Sequence, residues 1–359
     1  MDNTCKNIKV KDRYWQYVRG ICIICVVLIH SRNGINFQNQ FKGSWNFDYW
    51  LIFRQFINFP VAIFIFLAGY FINIEVAIKD NLQFILNRFR RLLLPFIMWS
   101  TFYTFIYIIS KKGNIKIIKT FIGLMFGVYS GQLYFILVLL QLTLITPILI
   151  KIINCGKKAR YLFLLTPLYL IALYSYAMFY DRQMPFYQTF FPAWFIFYYS
   201  GLWIKIKGYK PLFSNKRLLK CIIFIILSLL FSIIEAYVLL NFNFSVGFAS
   251  SQIKISSFIY SFSIINILFI IKPILQDKFK DLKFKWVETI GNLSYGIYYI
   301  HMFFIKVTDK ILYSLYFTKE VLPIFQAFQV ILVISLSWSS IYLIKRFFRE
   351  KFTKMFLGF

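Results

Sequence analysis

The chain has 359 residues, of which 60% are hydrophobic and 22% aromatic, while only 15% carry a charge. A water-soluble protein of this length has no core that could bury so much apolar surface, so the composition favours an integral membrane protein. The net charge of +28 would suggest a nucleic-acid partner for a soluble protein. Here most Lys and Arg residues lie in short segments between hydrophobic runs, where they determine membrane topology, so we expect no nucleic-acid partner.

Hydrophobic runs that approach the roughly 20 residues needed for a membrane-crossing helix occur ten times along the chain. They cover residues 16–36, 50–73, 92–110, 132–150, 161–180, 189–206, 219–240, 255–275, 291–308 and 323–344. The segment 114–131 is too short and too basic for a span, and it is predicted to form an amphipathic or re-entrant element. The expected fold class is therefore all-α, a polytopic transmembrane helical bundle of about ten spans.

The segments between the spans favour one orientation and one domain. With a cytoplasmic N-terminus, the cytoplasmic segments hold most of the 41 Lys and Arg residues, and ten spans place the C-terminus in the cytoplasm too. No linker, repeat or large insertion interrupts the chain, so residues 1–359 are predicted to form a single integral-membrane domain. The five cysteines follow neither a metal-site nor a disulfide pattern, and we expect neither feature.

The first predicted span carries an arginine and a histidine at an informative spacing. Arg19 and His30 are eleven residues apart, which is about three turns plus 20°, so they share one helix face about 16 Å apart along the axis. A boundary arginine and a histidine in a helix–helix hydrogen bond would explain the pair without any chemistry. An ionisable side chain inside the membrane is equally typical of a functional cavity, and the spacing alone leaves both interpretations open.

The only other histidine, His301, lies about ten residues into the ninth predicted span, at a depth similar to that of His30. Two imidazoles at similar depth on separate helices are able to line one cavity, where a neutral imidazole can take a proton from a hydroxyl group. The pair lacks the Cys, Asp or Glu partners of a metal site, so no metal is expected.

Two further groups of charged residues are candidates for function. Arg88, Arg90 and Arg91 lie at the cytoplasmic edge of the third predicted span, where they either bind phosphate groups or act only as a topology signal. An all-arginine cluster favours phosphate binding, because arginine chelates phosphate oxygens in a bidentate manner. Glu235 lies late in the seventh predicted span, and it either orients an imidazole or is an ordinary carboxylate at the outer boundary.

Four segments, in this order along the chain, resemble motifs of the acyltransferase 3 family, the multi-span acyltransferases that O-acetylate bacterial surface polysaccharides. They are "RYWQYVRGICIICVVLIH" (13–30), "FPVAIFIFLAGYFI" (59–72), "NRFRRLLLPFIMWS" (87–100) and "LSYGIYYIHMFF" (293–304). The chain departs from the family at Ala68, where a serine is common, and in "GQLYFI" (131–136), where a histidine is common. Gln132 and Tyr134 stand there instead, and both side chains are able to hydrogen-bond.

The resemblance implies a function and a role for each candidate residue. Arg19 and His30 would form the catalytic centre, Arg88, Arg90 and Arg91 would bind the phosphates of a cytoplasmic acyl-CoA donor, and His301 would be an accessory residue. Tyr298, Gln132 and Glu235 are further candidates for substrate or accessory contacts. The implied enzyme is a membrane O-acyltransferase in the bacterial cytoplasmic (inner) membrane, with acetyl-CoA as the default co-substrate and no bound cofactor. The acceptor would be a hydroxyl of a cell-surface or lipid-linked glycan.

A transport function is the alternative interpretation of ten spans with intramembrane histidines. A proton-coupled exporter or a glycan flippase would typically show inverted repeats or paired broken helices, and the sequence shows neither. A membrane protein that only binds or senses a ligand is a third possibility, and it would bind a donor without turnover.

Overall fold

The computed structural model describes residues 12–31, 44–110, 116–209, 213–278, 285–314 and 322–359, and the regular secondary structure within them is entirely helical. The α-helices are α1 (Arg13–His30), α2 (Trp45–Phe56), α3 (Pro60–Tyr70), α4 (Ile74–Lys79), α5 (Asn81–Ser110), α6 (Ile117–Met125), α7 (Tyr134–Cys155), α8 (Leu165–Tyr180), α9 (Phe195–Lys207), α10 (Asn215–Asn241), α11 (Val246–Ala249), α12 (Ile255–Lys278), α13 (Lys285–Asn292), α14 (Ser294–Ser314), α15 (Leu322–Phe347) and α16 (Glu350–Phe352). Short 3₁₀ segments occur at Gly131–Leu133, Lys157–Leu164 and Phe191–Ala193, and a π-helical turn at Thr353–Leu357. The all-α prediction is confirmed for the described residues.

Seven helical segments in the described part of the chain are long and apolar enough to cross a membrane. They are Trp45–Tyr70, which combines α2 and α3, and Asn81–Ser110, Gly131–Cys155, Lys158–Tyr180, Asn215–Asn241, Ile255–Gln276 and Pro323–Phe347. The predicted number of about ten spans is therefore not confirmed.

The three predicted spans outside this set correspond to α1, α9 and α14, which do form helices, and residues 32–36 of the first predicted span lie outside the described residues. The helix α9 has only 13 residues, α1 carries two arginines, and α14 carries Lys306, Asp309 and Lys310. Short length or internal charge thus separates these three from the seven apolar segments.

The segment predicted to be amphipathic or re-entrant contains α6, which has nine residues and is too short to cross a bilayer. Its apolar side chains are exposed at Ile117, Ile118, Phe121, Ile122 and Met125. Such exposure is typical of a helix in the interface between lipid and water. Residues 114 and 115 of this prediction lie outside the described residues.

The central helix is α1, which contacts α3, α12, α13, α14 and α15 and buries most of its side chains. At its start, Arg13 forms an ion pair of 2.9 Å with Glu288 of α13. At its end, Gln326 of α15 donates a hydrogen bond of 2.7 Å to the carbonyl oxygen of Ser31. We call the end of the bundle where α1 begins the near end, and the opposite end the far end.

Two glycines allow α1 and α13 to approach each other backbone to backbone. A Cβ atom at Gly291 would lie 1.8 Å from the carbonyl oxygen of Gln16, and one at Gly20 would lie 2.2 Å from that of Val287. No side chain fits at either position without moving a helix, so the contact requires glycine on both sides. It fixes α13, and hence the start of α14, against the first half of α1.

Candidate active site

The two histidines of the chain lie side by side. His30 is the last residue of α1 and His301 lies in the second turn of α14, and their ring centroids are 5.4 Å apart with an interplanar angle of 48°. The His30 side chain is half-buried, whereas His301 has no exposed surface. Two residues that are 271 positions apart in the chain thus form one imidazole pair inside the bundle.

His301 is held by its own helix. Its Nδ1 atom lies 3.1 Å from the carbonyl oxygen of Ile297, one turn earlier in α14. Its Nε2 atom is buried and has no hydrogen-bond partner among the described residues. A buried polar atom without a partner costs free energy, so this nitrogen marks a position that another polar group can fill.

Tyr298 and Gln132 form a second polar pair beside the imidazoles. The Tyr298 ring centroid lies 6.2 Å from that of His301, and the Tyr298 hydroxyl donates a hydrogen bond to the backbone carbonyl of Gln132. The Gln132 side chain accepts a hydrogen bond of 2.5 Å from the Ser130 hydroxyl through Oε1. Its buried Nε2 has no partner within the described chain, so the amide retains hydrogen-bond donors for a substrate.

Arg19 lies toward the near end, about 16 Å from His30 along α1. Its guanidinium carbon is 5.5 Å from the centroid of the Phe71 ring, just beyond the end of α3, and the side chain is half-buried. Phe71 is about half exposed, so Arg19 lies near an accessible part of the surface. Arg19 and His30 are therefore on one helix but do not contact each other.

The arginine cluster on α5 divides between two sides of its helix. Arg88 is half-buried, with its guanidinium carbon 5.6 Å from the Phe84 ring, while Arg90 and Arg91 are exposed. Trp99 and Phe102 of α5 contact Tyr299 and Phe303 of α14, and the helix period places Arg88 and Arg91 on the same side of α5 as these two residues. Arg90 is rotated about 160° from Arg88 around the helix and points away from that side. Two of the three arginines thus lie at the near end on the helix side that faces α14.

A model of the acyltransferase 3 family, described as an acyltransferase domain, matches residues 12–343. The chain belongs to the acyltransferase 3 family. The suspected resemblance is thereby confirmed, and together with the long apolar helices it identifies a multi-pass membrane acyltransferase. Searches of curated proteins and of solved structures gave no significant match.

In this acyltransferase, Glu235 belongs to a hydrogen-bond network between α8, α10 and α12. Its carboxylate accepts a hydrogen bond of 2.5 Å from the Tyr174 hydroxyl, and further bonds from the backbone N–H and the hydroxyl of Ser256. The fully buried Lys254 ammonium lies in the same region and donates to the Ser232 carbonyl at 3.0 Å. These contacts give Glu235 a role in joining helices, and they connect it to neither imidazole.

Two residues next to His30 were not predicted from the sequence. Arg54 of α2 donates hydrogen bonds of 3.2 Å to the carbonyl oxygens of Ile29 and Ser250. Gln326, which binds the Ser31 carbonyl, accepts a hydrogen bond of 3.1 Å from the Tyr49 hydroxyl. An arginine inside the apolar run "WLIFRQFINF" (50–59) was a signal that could have identified Arg54. The far side of the acyltransferase site is therefore polar.

Among the described residues, no group of three or more His, Cys, Asp or Glu side chains lies close enough to hold a metal ion.

Proposed function

We propose that this acyltransferase moves an acyl group from cytoplasmic acyl-CoA to a hydroxyl of a cell-surface or lipid-linked glycan, with acetyl-CoA as the default donor. The site would operate in the bacterial cytoplasmic membrane, with the near end of the bundle facing the cytoplasm. The observation that carries the proposal is the imidazole pair, His30 and His301, in a chain that belongs to an acyltransferase family. Imidazole is the side chain best suited to exchange protons with hydroxyl and thiol groups near neutral pH.

The donor would bind from the near end. Arg88 and Arg91 present two guanidinium groups on one side of α5, and phosphate oxygens are the ligands that arginine binds most strongly. Arg90 would add a weaker, long-range attraction from the other side. Arg19, half-buried beside Phe71 toward the near end, would steer the donor or stabilise developing negative charge.

The chemistry would take place at His30. Either His30 removes the proton of the acceptor hydroxyl while its oxygen attacks the thioester carbonyl, or His30 first carries the acyl group itself. In both cases the C–S bond of the thioester breaks, and the thiolate of coenzyme A takes up one proton. The buried amide of Gln132 has hydrogen-bond donors available for the oxygen of that carbonyl as it gains negative charge.

The acceptor would enter from the far end. Arg54, Gln326 and Tyr49 surround the end of α1 with hydrogen-bonding groups, and such groups suit the hydroxyls of a sugar better than those of an apolar acceptor.

The decisive substitution is His30→Ala in the purified full-length protein, assayed with radiolabelled acetyl-CoA and surface glycan from cells that lack the enzyme. We expect the labelled acetyl group to reach the glycan with the native protein and not with His30→Ala, although both insert into membranes equally well. A His30→Ala variant with native activity would refute the role of His30. Glycan movement across vesicles without label transfer would instead support an exporter or flippase.

A further inference from the structure

The ring orientation of His301 defines what each of its nitrogens can do. A carbonyl oxygen only accepts hydrogen bonds, so the Nδ1 atom that faces the Ile297 carbonyl at 3.1 Å must carry the proton. In a neutral imidazole the second nitrogen then has a lone pair. For His301 this is Nε2, the nitrogen that is buried and has no partner in the described part of the chain.

The His30 ring lies next to the His301 ring. An N–H···N hydrogen bond between two imidazoles requires ring centres roughly 5 Å apart, given a donor–acceptor distance of about 2.9 Å. The observed separation is 5.4 Å at an interplanar angle of 48°, so the rings are close enough for such a bond once a rotation of the His30 ring turns one of its nitrogens towards Nε2. His301 has no exposed surface, so water does not compete for its Nε2 atom.

The three groups correspond to the members of a catalytic triad. His30 is the nucleophile, His301 is the base, and the Ile297 carbonyl is the acceptor that orients the base. Resting on the proposed function, we propose that His301 is the general base that activates His30 as a nucleophile, so that the acyl group passes through a covalent intermediate on His30. Under this proposal His301 takes part directly in the reaction. His30 then carries the acyl group and does not act as the general base toward the acceptor.

The reaction then has two balanced steps. One ring nitrogen of His30 attacks the thioester carbonyl, the C–S bond breaks, and His301 Nε2 takes the N–H proton from the other ring nitrogen. The result is a neutral acyl-imidazole on His30, a protonated His301 and a thiolate of coenzyme A. In the second step the acceptor hydroxyl attacks the acyl carbon and the N–C bond breaks. His301 returns its proton to the other ring nitrogen of His30 as the imidazole leaves, and the hydroxyl proton neutralises the thiolate of coenzyme A, so both imidazoles return to their starting form.

The bond to Ile297 has a second consequence for this cycle. When His301 is protonated on Nε2, its Nδ1–H remains bonded to the carbonyl oxygen, whose partial negative charge stabilises the imidazolium. The base therefore keeps its orientation in both protonation states, and no ring flip is needed between the two steps.

The test is the first turnover of the purified full-length protein mixed with stoichiometric acetyl-CoA and no acceptor, read out as released thiol. We expect native protein to release one equivalent of coenzyme A in a burst, and His301→Gln to slow the burst about 100- to 1,000-fold. Glutamine retains a polar group near the Nε2 position but cannot take up a proton. Affinity for an unreactive donor, desulfo-coenzyme A, should stay within about twofold, because a base contributes to the transition state rather than to donor binding.

A matched control and a rescue separate chemistry from structure. Thr143 is also buried and donates a hydrogen bond of 2.7 Å to the carbonyl four residues earlier in its own helix, so Thr143→Val removes a comparable bond and should leave the burst unchanged. Added imidazole should accelerate the burst of His301→Ala at least tenfold and leave Thr143→Val unaffected. This rescue also decides the question if His301→Gln does not fold.

The outcomes distinguish this inference from the proposed function. A native-like burst in His301→Gln, or the absence of imidazole rescue in folded His301→Ala, would overturn the role of His301. Acetyl transfer to glycan by native protein without any burst would overturn the acyl-His30 intermediate and leave the proposed function intact. Native protein that neither binds the donor nor transfers its acetyl group would refute the proposed function itself.

Discussion

Arg90 and Arg91 are adjacent and both exposed, yet they face different surroundings. Helix geometry places Arg91 about 60° from Arg88 and Arg90 about 160° from it, so only Arg88 and Arg91 share the side that faces α14. A ligand that inserts between α5 and α14 would meet two guanidinium groups of the three. The sequence motif does not distinguish the three arginines, whereas the helix directs Arg90 to a different side from Arg88 and Arg91.

We therefore expect Arg91→Gln to raise the KM for acetyl-CoA about tenfold, since one charge-assisted hydrogen bond to phosphate contributes about 1.5 kcal/mol or more. The kcat should change little, because the lost contact is made equally in the ground state and the transition state. Steady-state kinetics at fixed ionic strength provide the measurement. Arg90→Gln is the matched control, with an expected KM within about twofold of the native value. Equal effects of the two substitutions would contradict the division of the cluster.

At the scale of elements, the backbone contact between α1 and α13 places the helix that carries His301. Gly20 and Gly291 allow the carbonyls of the opposite helices to come within the space that a side chain would occupy. The ion pair between Arg13 and Glu288 closes the same interface at the near end. The position of α14 therefore depends on the contact between α1 and α13, to which α14 itself contributes no residue.

Gly291→Ala should destabilise the protein by about 1–3 kcal/mol, the usual cost of overpacking, because the new methyl group would overlap the Gln16 carbonyl. A lowered melting temperature in detergent, followed by tryptophan fluorescence, measures the effect. Gly247→Ala is the control, because a Cβ atom there would meet only the Ser245 hydroxyl at an ordinary 3.7 Å. If both variants melt at the native temperature, the two helices do not pack as closely as described.

At the scale of the whole molecule, the proposed function depends on orientation, since the proposed donor and the proposed acceptor come from opposite sides of the membrane. The arginines of α5 and the start of α1 lie at the near end, whereas Arg54 and Gln326 surround the end of α1. The positive-inside rule predicts that the near end faces the cytoplasm. The histidine pair would then lie on the route between a cytoplasmic thioester and an external glycan.

Cysteine labelling tests this orientation. In a variant with Cys155 as its only cysteine, a membrane-impermeant maleimide should label inside-out vesicles and not intact cells, because the exposed thiol ends α7 on the predicted cytoplasmic side. A cysteine-free variant with Phe242→Cys should give the opposite result, because position 242 follows α10 at the predicted outer side and is 71% exposed. Labelling of Cys155 in intact cells would contradict the predicted topology.

Sequence reasoning succeeded for features that depend on composition and helix period. The all-helical fold follows from long apolar runs, and the similar depth of His30 and His301 follows from counting residues along two helices. The hydrogen bonds of Arg54 and Gln326 go to backbone carbonyls of remote helices, and no residue pattern encodes such a partner. The count of ten spans was not confirmed, because α1, α9 and α14 combine short length or charge with burial inside the protein.

The glycine contact between α1 and α13 also affects how His30 and His301 are placed relative to each other. Gly20 lies ten residues before His30, and Gly291 lies ten residues before His301. Between Gly20 and His30 the chain is one uninterrupted helix about 15 Å long, whereas the ten residues from Gly291 to His301 include the turn at Leu293 that separates α13 from α14. Inserting one residue between Gly20 and His30, or between Ser294 and His301, would shift one ring by about 1.5 Å and turn it by about 100°. The relative position of the two imidazoles therefore depends on the number of residues that separate each histidine from the helix crossing.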